Sequence, residues 1–174
     1  MDRGRFDIGR ELAEKAIASD PTYHRGFVCL GRAYIGLNRP DLAIPHLATG
    51  LEFRPLDVDA LYFMAFAHRR MKQLEKALGF TDDCLRIIPH NAVILIERGH
   101  CLFEMDRKEE AKVCFFKARE LDPDDESVHN AIGFWHLKAG QFIEAEHAFR
   151  TGLRIESNDA VSYTHLTLPT ICSV

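Results

Sequence analysis

Long apolar runs are missing from this sequence. None approaches the roughly 20 residues that a membrane-spanning helix needs, and no charged-then-apolar leader opens the chain. Glycine and proline are scarce, 11 and 7 in 174 residues, which excludes collagen-like and Pro/Gly-rich low-complexity architectures. A basic excess is missing too. The 22 Lys and Arg stand against 26 Asp and Glu, a net charge of −4, which argues against nucleic acid as a partner. The five cysteines, at 29, 84, 101, 114 and 172, include no pair spaced as CxxC. Neither a redox pair nor a zinc knuckle is spelled, so the thiols read as small apolar packers in a reducing, cytoplasmic compartment. What remains is 47% hydrophobic and 28% charged, enough to bury a core without a membrane.

What is present is a period. Prolines 21, 55, 89 and 123 stand 34 residues apart, and four blocks, 24–57, 58–91, 92–125 and 126–159, align without a gap. The eighth column of the blocks reads Gly31, Ala65, Gly99, Gly133, and the twentieth reads Ala43, Ala77, Ala111, Ala145. The twenty-seventh reads Gly50, Cys84, Ala118, Gly152. Large residues keep other columns: Phe27, Leu61 and Leu95 in the fourth, Leu30, Met64 and Ile132 in the seventh, Leu47, Phe115 and Phe149 in the twenty-fourth. Apolar residues recur at helical spacing in both halves of a block, so each block predicts two helices. Small columns let two backbones approach while large ones fill the adjoining holes. The closing proline stops the second helix.

This pattern resembles the tetratricopeptide repeat (TPR) family, W-x2-L-G-x2-Y, then A-x3-F-x2-A, then P. The resemblance implies an all-α, right-handed α-solenoid of stacked helix–turn–helix units with a concave inner groove. Several positions depart from the pattern. Arg98 replaces a seventh-column apolar residue, Thr81 a twenty-fourth-column aromatic, and His129 a fourth-column one. Ser157 replaces the closing proline, and His68 and His136 occupy the tyrosine-like eleventh column. Pro45 falls well inside a second helix, which predicts a bend or a late helix start. Gly140 is expected to supply open backbone angles in a turn.

The solenoid is expected over 1–160. Residues 4–23 align with the second half of a block, so a half repeat precedes the four full ones. Residues 161–174 contain no Asp, Glu, Lys or Arg. The string at 161–170 resembles a translated transposase adapter of sequencing libraries, so 161–174 is expected to be a non-native or disordered tail, and the chain a fragment. Ends without polar caps are expected to invite self-association.

Catalytic motifs are missing. There is no Gly-rich phosphate loop, no G-x-S-x-G and no H-E-x-x-H. The adjacent pairs Asp82–Asp83 and Glu109–Glu110 diverge by about 100° on a helix and cannot converge on a substrate. His129 and His136 sit in core-facing columns. The expectation is a non-enzymatic protein with no catalytic residue, cofactor or metal. Alternatives are a docking or regulatory arm of a larger truncated enzyme, or a secretion-type TPR chaperone.

The resemblance places a groove on the first helix of each block, at its second, fifth, sixth, ninth, twelfth and thirteenth columns. The first block contributes Arg25 and Arg32 there, and the second Tyr62, Phe63, Phe66, Arg69 and Arg70. The third contributes Ile96, His100 and Phe103, and the fourth Asn130 and Phe134. Aromatic rings beside arginines are the composition of binding hot spots. The expected ligand is a protein or peptide segment with apolar and acidic groups, the latter on an arginine cluster toward the N-terminal side.

Overall fold

The computed structural model describes the backbone of residues 3–167 and the side chains of 4–156. Among the described residues there are nine helices and no strand: α1 (Arg3–Ser19), α2 (His24–Gly36), α3 (Pro40–Phe53), α4 (Val58–Arg70), α5 (Leu74–Ile87), α6 (Ala92–Glu104), α7 (Lys108–Leu121), α8 (Glu126–Lys138) and α9 (Phe142–Thr167). Helices α2/α3, α4/α5, α6/α7 and α8/α9 pair as hairpins. Helix α1 packs on α2, and each second helix packs on the first helix of the next block. The first helices also touch one another, α2 on α4, α4 on α6 and α6 on α8, so they form a continuous inner layer.

The small and large columns explain the hairpins. A Cβ added to Gly31 would lie 2.5 Å from Leu47, one on Gly99 2.4 Å from Phe115, and one on Gly133 2.8 Å from Phe149. Each glycine therefore seats a large side chain of its partner helix. The second block has Ala65 and Thr81 at the same two columns. Thr81 is fully buried, and its hydroxyl donates to the Leu78 carbonyl at 2.8 Å, so the substitution leaves no unpaired group.

The turns within the hairpins share one device. Asn38, Lys72, Asp106 and Gly140 all adopt positive φ, between 60° and 76°. In each turn the following amide closes back onto the first helix: Arg39 onto Tyr34, Gln73 onto His68, Arg107 onto Leu102 and Gln141 onto His136, at 2.8–3.0 Å. This is a left-handed C-terminal cap that satisfies carbonyls the helix leaves open. The sequence points to Gly140 alone, whereas three residues with side chains hold the same conformation. At the other end, Asp57, Asn91 and Asp125 cap α4, α6 and α8 by accepting from backbone amides at 2.7–3.0 Å.

The late start expected around Pro45 is not found. Helix α3 begins at Pro40 and runs without interruption to Phe53. Pro40 at the first helical position is preorganised for a helix. Pro45 lies on the exposed side, while Ala43 and Leu47 on the other side are fully buried and fix the helix against its neighbours.

Other departures have partners. His68 Nδ1 lies 2.7 Å from Gln73 Oε1, and His136 Nδ1 lies 2.8 Å from Gln141 Oε1. His68 also stacks on Phe80, just as Tyr34 stacks on His46, so ring and imidazole exchange places between the two columns. Arg98 reaches the Asp82 carboxylate, and His129 Nε2 lies 2.7 Å from the Pro123 carbonyl. The Ser157 side chain and the tail expected at 161–174 lie outside the described side chains, and 168–174 outside the described backbone.

Candidate protein-binding face

The inner layer of α2, α4, α6 and α8 carries the groove residues, and the structure sorts them into three groups. Rings form the first group. On α6 and α8, Phe103 and Phe134 meet edge to face at 5.9 Å, and His100 meets Phe134 at 6.5 Å. Phe134 remains 39% exposed, with Lys138 Nζ 5.5 Å from its centre. On α4, Tyr62 and Phe63 meet edge to face at 5.3 Å, and both lean on buried clusters. Phe66 is half-buried beneath the Arg69 guanidinium, 5.1 Å from its centre.

Ion pairs form the second group. Arg69 Nε and one terminal nitrogen hold both oxygens of Glu97, at 2.6 and 3.0 Å. Its other terminal nitrogen holds Glu104 at 3.0 Å, and Lys72 Nζ reaches the second Glu104 oxygen at 2.8 Å. Glu97 is only 3% exposed. The bidentate geometry is what makes such a desolvated pair tolerable. Burial would lift the Glu104 carboxyl, yet the bonds from Lys72 and Arg69 hold it below the usual range. Burial would also loosen the Arg69 proton, but the hydrogen bonds to Glu97 and Glu104 outweigh it and raise its pKa. Beside this network, burial and then the Arg69 charge push His100 down to about 4, so its ring is neutral at pH 7. Burial also raises the Tyr62 phenol to about 12.

The remaining positions form the third group. Arg25 lies 3.6 Å from Asp59, and Arg70 donates to Asn38 Oδ1 at 2.5 Å in the α2/α3 turn. Arg32 is exposed and forms no ion pair with another described residue. The four arginines of the expected cluster therefore point to separate places, and Arg69 is already saturated by carboxylates of α6. Ile96 is buried in the core shared by α6 to α9 rather than open to a ligand. Asn130 turns its amide toward Gly152 of α9. The site expected from sequence leaves out Glu97, Glu104 and Lys72. Glu97 and Glu104 stand in groove columns opposite in charge to Arg69 of the preceding block, whereas Lys72 stands in a turn column.

Among the described residues no group of three or more His, Cys, Asp or Glu side chains is placed to hold a metal ion. Four cysteines, Cys29, Cys84, Cys101 and Cys114, are free, and the last three are buried. Among the described residues no helix is long and apolar enough to cross a membrane.

A family model, tetratricopeptide repeat, matches residues 92–125, one of the four blocks. TPR repeat-containing protein PA4667 of Pseudomonas aeruginosa is 27% identical over 159 residues. TTC0263, a thermophilic TPR protein of Thermus thermophilus, superposes with a TM-score of 0.81 at 21% identity, covering 93% of this chain and 89% of that one. Residues 92–125 are a tetratricopeptide repeat, and the whole stack has the TPR fold. The crystal structure of MamA shares the same fold, with a TM-score of 0.69 at 20% identity over 90% of this chain and 92% of that one. The Pseudomonas alignment covers 88% of this chain but only 26% of PA4667, so the chain spans about a quarter of that relative's length. The TPR fold is a scaffold for contacts between proteins, which is the coarse function the helical stack supports.

Proposed function

We propose that the chain is a non-enzymatic scaffold that binds a peptide segment of another protein on its inner layer, in a reducing, cytoplasmic setting. The observation that carries this reading is the ring cluster of His100, Phe103 and Phe134, which leaves Phe134 39% exposed on the face the first helices share. Val93 and Leu137, exposed by 45% and 42%, extend that apolar strip on α6 and α8. Exposed rings on a rigid helical layer are anchors for a partner's apolar side chains. The network of Arg69, Glu97, Glu104 and Lys72 balances two positive charges against two negative ones. It presents little net charge, so affinity comes from the rings. Acidic groups of the ligand have Arg32 and Lys138 at the edges instead of Arg69.

The test is a peptide selection against the purified chain, followed by titration of the selected peptide into Phe134→Ala and Phe103→Ala. Each loss should weaken binding by about 1–2 kcal/mol, roughly tenfold. Arg69→Met should act mainly through stability. Unchanged affinity in the folded double ring variant would overturn the reading.

A further inference from the structure

The joints after α3, α5 and α7, where the second helix of one hairpin meets the first helix of the next, are not alike. At α3/α4 the twenty-first and twenty-eighth columns hold Ile44 and Leu51, and at α5/α6 they hold Leu78 and Leu85. All four pack against the buried clusters of the stack. At α7/α8 the same columns hold Lys112 and Arg119. Of the three joints this one has the least extensive packing.

The residues that face each other across the joints differ as well. The twenty-fifth column of one block stands opposite the tenth of the next, and the first two pairs are Ala48 with Ala67 and Asp82 with Cys101. After α7 the pair is Phe116 with Trp135, the one tryptophan of the chain. Their rings meet edge to face at 6.0 Å and keep α7 away from α8. Lys112 Nζ lies 5.1 Å from the centre of the Trp135 ring, and Arg119 Cζ lies 4.6 Å from that of Phe116. Neither cation forms an ion pair with another described residue, and Glu110, two residues before Lys112, is already held by Arg107.

This chemistry makes a looser joint than aliphatic burial does. A leucine side chain taken out of water resists exposure over its whole area. A cation over a ring is held by a smaller, local attraction and regains water when it leaves. Arg119 is already exposed. Apart from this joint, α8 is tied to the earlier hairpins only along its inner side, where Phe134 meets His100 and Phe103 of α6 edge to face. Successive residues diverge by about 100° on a helix, so Phe134 faces α6 while Trp135 faces α7. Helix α8 therefore has a pivot on one side and a weakly held contact on the other.

We propose that the α7/α8 joint is a hinge. The α8/α9 hairpin swings there as a unit against the hairpins before it, and Lys112 and Arg119 are the clasp that closes the joint. The axis runs through the contacts of Phe134 with α6. The swing changes the angle between α6 and α8, and with it the width of the ring face they share. This does not rest on that face being a peptide site.

The test uses the full chain with spin labels on Lys117→Cys of α7 and His147→Cys of α9, both exposed positions, in a Cys29→Ser, Cys172→Ser background. The buried thiols of Cys84, Cys101 and Cys114 are left in place. The distance between the labels should be broadly distributed. Lys112→Leu with Arg119→Leu gives the joint the aliphatic columns of the other two. It should narrow the distribution and slow amide exchange in α8 at least about tenfold, with exchange in α4 unchanged. Lys112→Gln with Arg119→Gln removes the clasp without adding apolar reach. It should broaden the distribution and increase acrylamide quenching of Trp135 fluorescence. Circular dichroism and urea midpoints confirm that both variants are folded. A parent distribution already as narrow as that of the leucine variant, or a spread that neither pair of substitutions changes, overturns the proposal. So does a leucine variant that slows α4 as much as α8, because the substitutions then act on the whole stack and not on one joint.

Discussion

The Gly99–Phe115 contact offers a test in which one substitution should change sign with its neighbour. A Cβ on Gly99 would lie 2.4, 2.7 and 2.9 Å from three ring atoms of Phe115. Phe115 is fully buried in the core shared by α6 to α9, so its ring has no free space to move into. Overpacking of this kind costs about 1–3 kcal/mol. Alanine regains about 1 kcal/mol over glycine in a helix interior. Gly99→Ala should therefore destabilise the chain by about 1 kcal/mol, and by up to about 2 if the ring cannot yield. Phe115→Val copies the shape of Thr81, which faces Ala65 in the preceding block. Alone it should cost about 2–4 kcal/mol through the cavity it leaves. In that background the clash is gone, and Gly99→Ala should stabilise by about 1 kcal/mol. Urea unfolding of the four proteins closes the cycle, with a coupling of about 2 kcal/mol. Gly99→Ala that is neutral in the parent, or equally harmful in both backgrounds, would refute the claim that these columns fit each other by volume.

Further outcomes follow from the same structure. Arg69→Met strands the buried Glu97 carboxylate and should cost about 3–5 kcal/mol in urea unfolding, with part of the loss recovered by adding Glu97→Gln. Asp106→Gly relieves a residue with φ of 61° and should raise stability by about 0.5–1 kcal/mol, read as a higher urea midpoint. His100 is held near a pKa of about 4 in the fold against 6.5 free, so the unfolded chain takes up its proton first. Its contribution is complete above about pH 6.5 and is lost as pH falls toward 4, and the NMR titration of its ring should show no midpoint above about 5. Hydrogen exchange should be slowest in 58–125 and fastest in α1, because inner blocks have neighbours on both sides; uniform protection would contradict the nearest-neighbour picture.

The parts of the fold visible in the sequence are those that depend on one column at a time. Ala43, Ala77, Ala111 and Ala145 mark the second helices because each is small where two backbones meet, and all four are buried. The proline period marks where second helices end. Properties that join two columns were less visible. The left-handed turn could be read at Gly140 but not at Asn38, Lys72 and Asp106, because backbone bonds from the next residue impose it whatever the side chain. The expected arginine cluster failed for a similar reason. Composition counts Arg25, Arg32, Arg69 and Arg70 together, but adjacent residues diverge on a helix, and Arg69 lies beside Glu97 and Glu104 only because the twelfth position of one block abuts the sixth and thirteenth of the next. Ile96 shows the limit of column assignment, since its neighbours bury it in the shared core.

The departures from the repeat pattern occur in matched sets, which bears on how the chain keeps its register. Identical blocks would let any second helix pack on any first helix, 34 residues out of place, at no cost. Here the first two hairpins carry different keys, while α6/α7 and α8/α9 share a Gly–Phe pair. Gly31 needs a neighbour with the shape of Leu47, whereas Ala65 would collide with it and is matched by Thr81. His68 needs Gln73, and Arg98 needs Asp82. A slipped pairing of α4 with α3 would place Ala65 against Leu47. Such mismatches raise the energy of the wrong stack without weakening the right one. If that is their role, exchanging α3 and α5 as whole helices should destabilise the chain by more than the sum of its altered surface contacts. Adding Gly31→Ala and Ala65→Gly to the exchanged protein should restore part of the loss. No restoration would mean that the paired columns record history and not register.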